Sequence, residues 1–173
     1  MPELLRDDIF ERMQRLDEHA SLEFSDAGRF RVVIVGGGAL VLRGYLARAT
    51  SDIDILGADG RLYALMELYD MNGDVNAYMD HFAYNYEDRL DPLLSGSIID
   101  YYTASLEDIV IAKLCSNRPE DLTDIELVAG KIDWEILEKL ARDEGEIKRS
   151  ILSDRGYMDF QANYEIFERR FRT

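Results

Sequence analysis

Val33-Ile34-Val35-Gly36-Gly37-Gly38-Ala39-Leu40 is the stretch on which the fold turns. Phe30 to Val35 reads as a buried strand, and three consecutive glycines end it. Ala39 to Ala47 then reads as a short helix that carries the chain back. Thirteen residues separate Gly38 from Asp52-Ile53-Asp54, which lies within a second predicted strand, Ser51 to Leu56. The period of two in a strand places Asp52 and Asp54 on one face and Ile53 and Ile55 on the other. Two like charges on one face repel unless a cation sits between them. Divalent metal ions carrying a nucleoside triphosphate supply such a cation. A glycine turn at a helix start lets backbone N–H groups approach triphosphate oxygens. The plainer alternative is a glycine turn followed by a solvent-facing aspartate pair.

Working outward, Leu5, Ile9, Phe10, Met13 and Leu16 recur at helical spacing, which predicts an amphipathic first helix over the first twenty-odd residues. Asp26-Ala27-Gly28 marks a turn before the first strand. A helix from about Leu62 to Tyr69 and a turn at Asn72-Gly73 follow the second. Two further strands are expected near Asp80 to Tyr86 and Ser97 to Thr103, both rich in Tyr, Phe and Ile. Ser105, with Asp108 three residues on, forms a capping box that opens a helix to about Ser116. Pro119 with Glu120 and Asp121 opens another. Helices are also expected over Trp134 to Arg142 and Ile147 to Phe171, the latter with a break at Gly156. Strands fall early and helices late. The expected fold is α+β: a mixed sheet flanked by helices, with a helical C-terminal half, in one domain spanning 1–173. Within it, 1–104 would carry the sheet and 105–173 a helical part packed on it.

The 173 residues, 47% hydrophobic and 32% charged, suit a globular chain with a proper core. The net charge of −15 is unusual and repels nucleic-acid backbones, so broad duplex DNA binding is not expected. The single cysteine, Cys115, rules out an internal disulfide framework and suits a reducing compartment. No apolar stretch approaches the roughly 18 residues that would span a membrane. Glu3, Arg6, Asp7 and Asp8 do not make a secretion signal, and a cytoplasmic location is expected. The glycines lack the spacing of a dinucleotide-binding turn and are not followed by the Gly-Lys-Ser/Thr of a P-loop.

A second signal lies far along the chain. In Leu106-Glu107-Asp108-Ile109-Val110-Ile111-Ala112-Lys113-Leu114, helical projection places Lys113 about 20° from Leu106 and about 40° from Ile109. A lysine in an apolar arc is costly unless it meets an anion. Asp121, in Arg118-Pro119-Glu120-Asp121-Leu122-Thr123-Asp124, likewise projects between Ile125 and Val128. Lys113 and Asp121 either serve a site or pair with each other as a structural salt bridge.

The glycine turn followed by Asp52-Ile53-Asp54 resembles the nucleotidyltransferase signature of the DNA-polymerase-β superfamily. Within it, Gly36-Gly37-Gly38-Ala39-Leu40 and Arg48-Ala49-Thr50-Ser51-Asp52-Ile53-Asp54 are similar to the AbiE-type toxin branch. That branch carries Gly-Gly-x-Ala-Leu and Arg-x-Thr-x-Asp-Ile-Asp, then Glu-(Asp/Glu)-x-x-x-x-Lys-Leu and Arg-x-x-Asp-x-x-Asp. The resemblance covers about Val33 to Leu56 and Ser105 to Leu127. It implies that Asp52 and Asp54 hold Mg2+ or Mn2+, and that Gly36, Gly37, Gly38, Arg48 and Thr50 bind the nucleotide. It also implies that Lys113 contacts the phosphates and Asp121 completes the site, with Arg118 and Asp124 in support. A guanidinium such as Arg48 grips oxyanions bidentately, although a surface arginine paired with an acid is the ordinary alternative.

Two departures stand out. Gly38-Ala39 offers only backbone where the superfamily often has a glycine followed by serine. No third strand carboxylate is evident, Asp100 being the one candidate. The activity implied is transfer of a nucleoside monophosphate from a nucleoside triphosphate to an RNA or protein acceptor. A place as the toxin of a bacterial toxin–antitoxin pair, with a cognate antitoxin as partner, is implied as well. One alternative is a catalytically inactive module of the same fold that binds a nucleotide or a partner protein. Another is an antibiotic-modifying nucleotidyltransferase, for which no second substrate domain is evident. Tyr84, Tyr86, Tyr101 and Tyr102 offer base-stacking surface or ordinary sheet packing. Arg169, Arg170 and Arg172 form a small basic end.

Overall fold

The computed structural model of the chain describes residues 3–26, 28–73, 81–116, 118–143 and 153–173. The chain divides into two compact units: Met1–Asn76 with Leu90–Ala104, and Ala77–Arg89 with Ser105–Thr173. The first contains a five-stranded mixed sheet and the second is helical, so the fold class is α+β, as expected. No helix among the described residues is long and apolar enough to cross a membrane.

The first unit opens with helix α1 (Arg6–Glu23). Of the predicted apolar stripe Ile9, Met13 and Leu16 are fully buried, with Ala20 beyond them, while Phe10 is half-buried and Leu5 precedes the helix and is exposed. Strand β1 (Phe30–Val35) is the centre of the sheet, and all its residues except Arg31 are buried. Helix α2 begins at Gly36, three residues earlier than the sequence suggests, and ends at Leu42. Its early end has a local cause: Gly44 takes φ +75° and closes the last turn through its N–H to the Val41 carbonyl. Strand β2 (Ile53–Ile55) runs antiparallel to β1, with Val35 opposite Asp54 and Ile34 opposite Ile55. A short 3-10 turn, Gly60–Leu62, leads into α3 (Tyr63–Leu68). The two-residue strand β3 (Met71–Asn72) then pairs parallel with β2.

The sheet order is β3-β2-β1-β5-β4. Strand β5 (Ile99–Thr103) pairs parallel with β1, and β4 (Asp91–Ser95) pairs antiparallel with β5. Sequence reading finds β5 but not β4, because Asp91-Pro92 carries turn chemistry. Proline is tolerated here because β4 is an edge strand. The β4–β5 connection is tied to α1. The buried Asp17 carboxylate accepts the backbone N–H groups of Ser97, Ile98 and Ile99 at 2.7–2.9 Å. Only glycine fits beside it, since a Cβ on Gly96 would stand 2.4–2.6 Å from the carboxylate atoms.

The expected strand near Asp80 to Tyr86 is not formed; Asp80 itself lies outside the described residues, and Tyr86–Arg89 is a 3-10 turn. Phe82, Ala83 and Tyr86 are buried while Tyr84 is exposed, and the Phe82 and Tyr86 rings lie 5.6 Å apart. That is the spacing of a coiled turn, not the alternation of a strand. The second unit continues with α4 (Leu106–Leu114), α5 (Pro119–Val128), α6 (Trp134–Ala141) and α7 (Asp154–Phe171). The Ser105 hydroxyl caps α4 at the Asp108 N–H, and Pro119 opens α5, both as predicted. Residues 147–152 of the expected last helix lie outside the described ones, and Gly156 sits within α7 without breaking it. The Asn163 amide donates to the Leu114 carbonyl at 2.8 Å, and Trp134 stacks on Phe167 at 5.2 Å.

Candidate active site

The two motifs of the first unit meet, glycine against loop. Gly36 takes φ +69°, and a Cβ there would lie 3.2 Å from the Asp54 Oδ2. A Cβ on Gly37 would stand 3.3 Å from the Arg48 guanidinium and 3.6 Å from the Thr50 hydroxyl. One on Gly38 would stand 3.2 Å from the Asp52 carbonyl. Each glycine therefore faces a different residue of Arg48 to Asp54, and side chains in their place would push the two segments apart. The sequence reason is the short α2, which returns the chain from the end of β1 to the start of β2.

Strand β2 covers only Ile53–Ile55, so Asp54 lies within it and Asp52 stands just before it. Ile53 and Ile55 are fully buried, Asp54 is half-buried and Asp52 is exposed. Asp52 accepts from the Ser51 hydroxyl at 3.2 Å, and Asp54 Oδ1 accepts from the Asn72 amide at 3.2 Å. The buried Thr50 hydroxyl donates to the Asp52 carbonyl at 3.2 Å. Thr50 is itself held by Leu4, the two backbones exchanging N–H···O bonds at 2.7 and 2.9 Å. The exposed Arg48 donates to the Ala49 carbonyl at 2.9 Å. Asp52 and its loop are thus fixed by backbone and hydroxyl contacts beside the glycine turn.

Asp100 does not join them. Its register partner on β1 is Arg31, whereas that of Asp54 is Val35. Four residues of strand separate the two levels by about 13 Å. Asp100 is gripped by both Arg29 Nε and Nη2, at 3.0 and 2.8 Å. That guanidinium, with the Ser95 hydroxyl, lowers its carboxyl to about 2. On that face the β5 residue nearest the level of Asp54 is Tyr102, opposite Val33 on β1. Among the described residues no group of three or more His, Cys, Asp or Glu is arranged to hold a metal ion.

In the second unit, Lys113 and Asp121, both projected into apolar arcs, come together, and Asp124 joins them. The Lys113 ammonium donates to Asp121 at 2.8 Å and to Asp124 at 3.1 Å, with all three residues buried. Asp121 also accepts from the Ser116 hydroxyl at 2.6 Å and from Arg118 Nε at 2.9 Å. Burial opposes ionisation of Asp121, but these donors outweigh it and hold the carboxyl below its ordinary range. The pairing of Lys113 with Asp121, open in the sequence, is therefore formed, and Asp124 shares it.

Sequence reasoning missed a second buried ion pair. Arg89 grips the fully buried Asp108 through two bonds of 2.9 Å and also donates to Asn85. Only the position of Asp108 in the capping box hinted at it. Cys115 follows α4, and burial raises its thiol to about 12, so it is not a reactive nucleophile. The basic end is engaged in ion pairs within its own unit, Arg170 with Glu126 and Arg172 with Glu138 and Glu168.

Comparison of the chain with curated proteins and with solved structures finds no match. A family model described as "Nucleotidyltransferase of unknown function (DUF6036)" matches residues 11–172, nearly the whole chain. That span includes the glycine turn, Asp52, Asp54 and the Lys113 cluster, and the chain belongs to this nucleotidyltransferase family.

Proposed function

We propose that the chain transfers a nucleoside monophosphate from a nucleoside triphosphate to an RNA or protein acceptor, using Mg2+ or Mn2+ held by Asp52 and Asp54. The observation that carries this is the seating of Gly36, Gly37 and Gly38 against Arg48, Thr50, Asp52 and Asp54. The donor set fits such an ion: Mg2+ commonly takes one or two carboxylates, and substrate phosphates and water complete its shell. A cation bound there would neutralise charge on the triphosphate and help its pyrophosphate leave.

The residues have distinct tasks in this reading. Backbone N–H groups of the glycine turn receive the triphosphate oxygens, and Arg48 offers a planar fork to a phosphate. Thr50 fixes the backbone of Asp52, and Leu4 fixes Thr50. An acceptor oxygen attacks the α-phosphorus in line, and the bond to pyrophosphate breaks. Catalysis of this kind is chiefly positioning and charge stabilisation. The motif resemblance assigns phosphate contact to Lys113 and completion of the site to Asp121, with Arg118 and Asp124 supporting. In the second unit, two of the three ammonium protons of Lys113 bond to Asp121 and Asp124.

The resemblance to AbiE-type toxins supports the further reading of a bacterial toxin with a cognate antitoxin. The net charge of −15 makes a protein acceptor easier to approach than an RNA, whose use requires acids held away from the site. A second reading, a nucleotide-binding module without transfer, is favoured by one observation. Tyr102 is the β5 residue of that face nearest the level of Asp54, and Asp100 is committed to Arg29.

The test is incubation with Mg2+ and each α-labelled nucleoside triphosphate, alone and with total RNA or lysate. An Asp52→Ala/Asp54→Ala variant runs alongside. Label transfer that vanishes in the variant supports the enzyme. Nucleotide binding without label transfer or pyrophosphate release supports the module.

A further inference from the structure

Asn72-Gly73 reads in sequence as a turn, yet the fold puts Asn72 to a different use. It forms the second half of β3, a two-residue edge strand, in register opposite Asp54. Asparagine is a poor strand former, so its place in so short a strand calls for a compensating contact. The contact is with the aspartate: Asn72 Nδ2 donates to Asp54 Oδ1 at 3.2 Å. Oδ2 of the same carboxylate lies toward the glycine turn, 3.2 Å from where a Gly36 Cβ would be.

The backbone makes this placement firm. Met71, one residue earlier, is buried and pairs with the fully buried Ile53, which fixes the register. Residues paired in register across a sheet project to the same face. Gly73 carries the chain past Tyr63, where a Cβ would come within 2.5 Å of the ring. Asn72 therefore faces Asp54 as a consequence of the ladder, not of one side-chain rotamer.

We infer that Asn72 is a positioning residue for Asp54: its amide holds Oδ1 and so turns Oδ2 toward the glycine turn, where the cation and triphosphate would bind. The inference rests on the reading of Asp52 and Asp54 as metal ligands. Residue type supports it. Lysine or arginine at position 72 would neutralise Asp54 and compete with a metal ion. An amide orients the carboxylate and leaves its charge in place. Partners of this kind fix the orientation of ligating carboxylates.

The test measures Mn2+ affinity by electron paramagnetic resonance in the presence of a non-hydrolysable nucleoside triphosphate. Wild type, Asn72→Leu, Asn72→Asp and Asp54→Asn are compared. Leucine keeps the size and removes the donor, and Mn2+ binding is expected to weaken about tenfold. Aspartate keeps the shape and adds a carboxylate beside Asp54, so Mn2+ binding is expected to tighten. Both variants should melt within about 2 °C of wild type, as exposed substitutions do. A merely structural role predicts the same affinity in both. If wild type binds Mn2+, Asp54→Asn does not, and the two Asn72 variants match wild type, the inference fails while the reading of Asp54 stands. If wild type binds no Mn2+, or Asp54→Asn binds as well as wild type, both fail.

Discussion

Two sets of carboxylates are built differently within this chain. Asp52 and Asp54 stand at or near the surface of the first unit, accepting from the neutral donors Ser51 and Asn72. Asp121 and Asp124 stand inside the second, sharing the Lys113 ammonium, with Arg118 on Asp121 as well. The buried pair carries its own counter-charge, because an uncompensated ion in such surroundings is costly. The outer pair accepts from a hydroxyl and an amide, and only glycine fits at position 36 beside the Asp54 carboxylate. The first set lies within reach of solvent, and the second is a fixed, buried framework.

The comparison predicts opposite responses to charge removal. Lys113→Met leaves two buried carboxylates facing each other and should cost about 3–5 kcal/mol in urea unfolding. Adding Asp121→Asn and Asp124→Asn to it should recover part of that loss. Equal stability of Lys113→Met and wild type would remove the distinction. Gly36→Ala comes next. A side chain at φ +69° and 3.2 Å from Asp54 should cost about 1–2 kcal/mol and reduce nucleotide binding. A tolerated alanine with unchanged binding would show that the close approach is dispensable.

A smaller effect lies in the pH dependence. The Asp121 carboxyl is lowered in the folded chain, so its contribution is fully present above the unfolded value, about 3.9. It is lost as pH falls through the lower folded value. The urea midpoint should therefore drop on acidification below about pH 4, and less steeply in Asp121→Asn. Identical slopes would place the acid sensitivity elsewhere. Smallest of all is Asp100→Asn. It removes a surface ion pair with Arg29, should shift the urea midpoint little, and should leave label transfer unchanged. A large loss of transfer would instead make Asp100 the missing third acid.

How much of this was legible in the sequence follows from the range of the interactions. The β1–glycine–α2–β2 passage is local, written in an apolar run, three glycines and a short return, so its order and burial could be read directly. The caps at Ser105 and Pro119 are local too. Strand β4 was hidden because Asp91-Pro92 has turn chemistry and forms a strand only by pairing with β5. The Phe82 and Tyr86 region misled because aromatic richness resembles a strand while the burial spacing is that of a turn. Residue types alone marked Asp52 and Asp54 in the first unit and Lys113 and Asp121 in the second. Asn72 and Arg89 left no such mark, because their partners are set by pairings between distant segments. The Asp17 contact with the β4–β5 connection was invisible for the same reason.

The central claim is that Asp52 and Asp54, beside the glycine turn, form the metal–triphosphate site. The most direct test is a crystal structure with Mn2+ and a non-hydrolysable nucleoside triphosphate, read by anomalous scattering. The account predicts a manganese peak coordinated by Asp52 and Asp54, with the triphosphate against the backbone of Gly36 to Gly38. A nucleotide bound away from both aspartates, with no manganese on either, would contradict it.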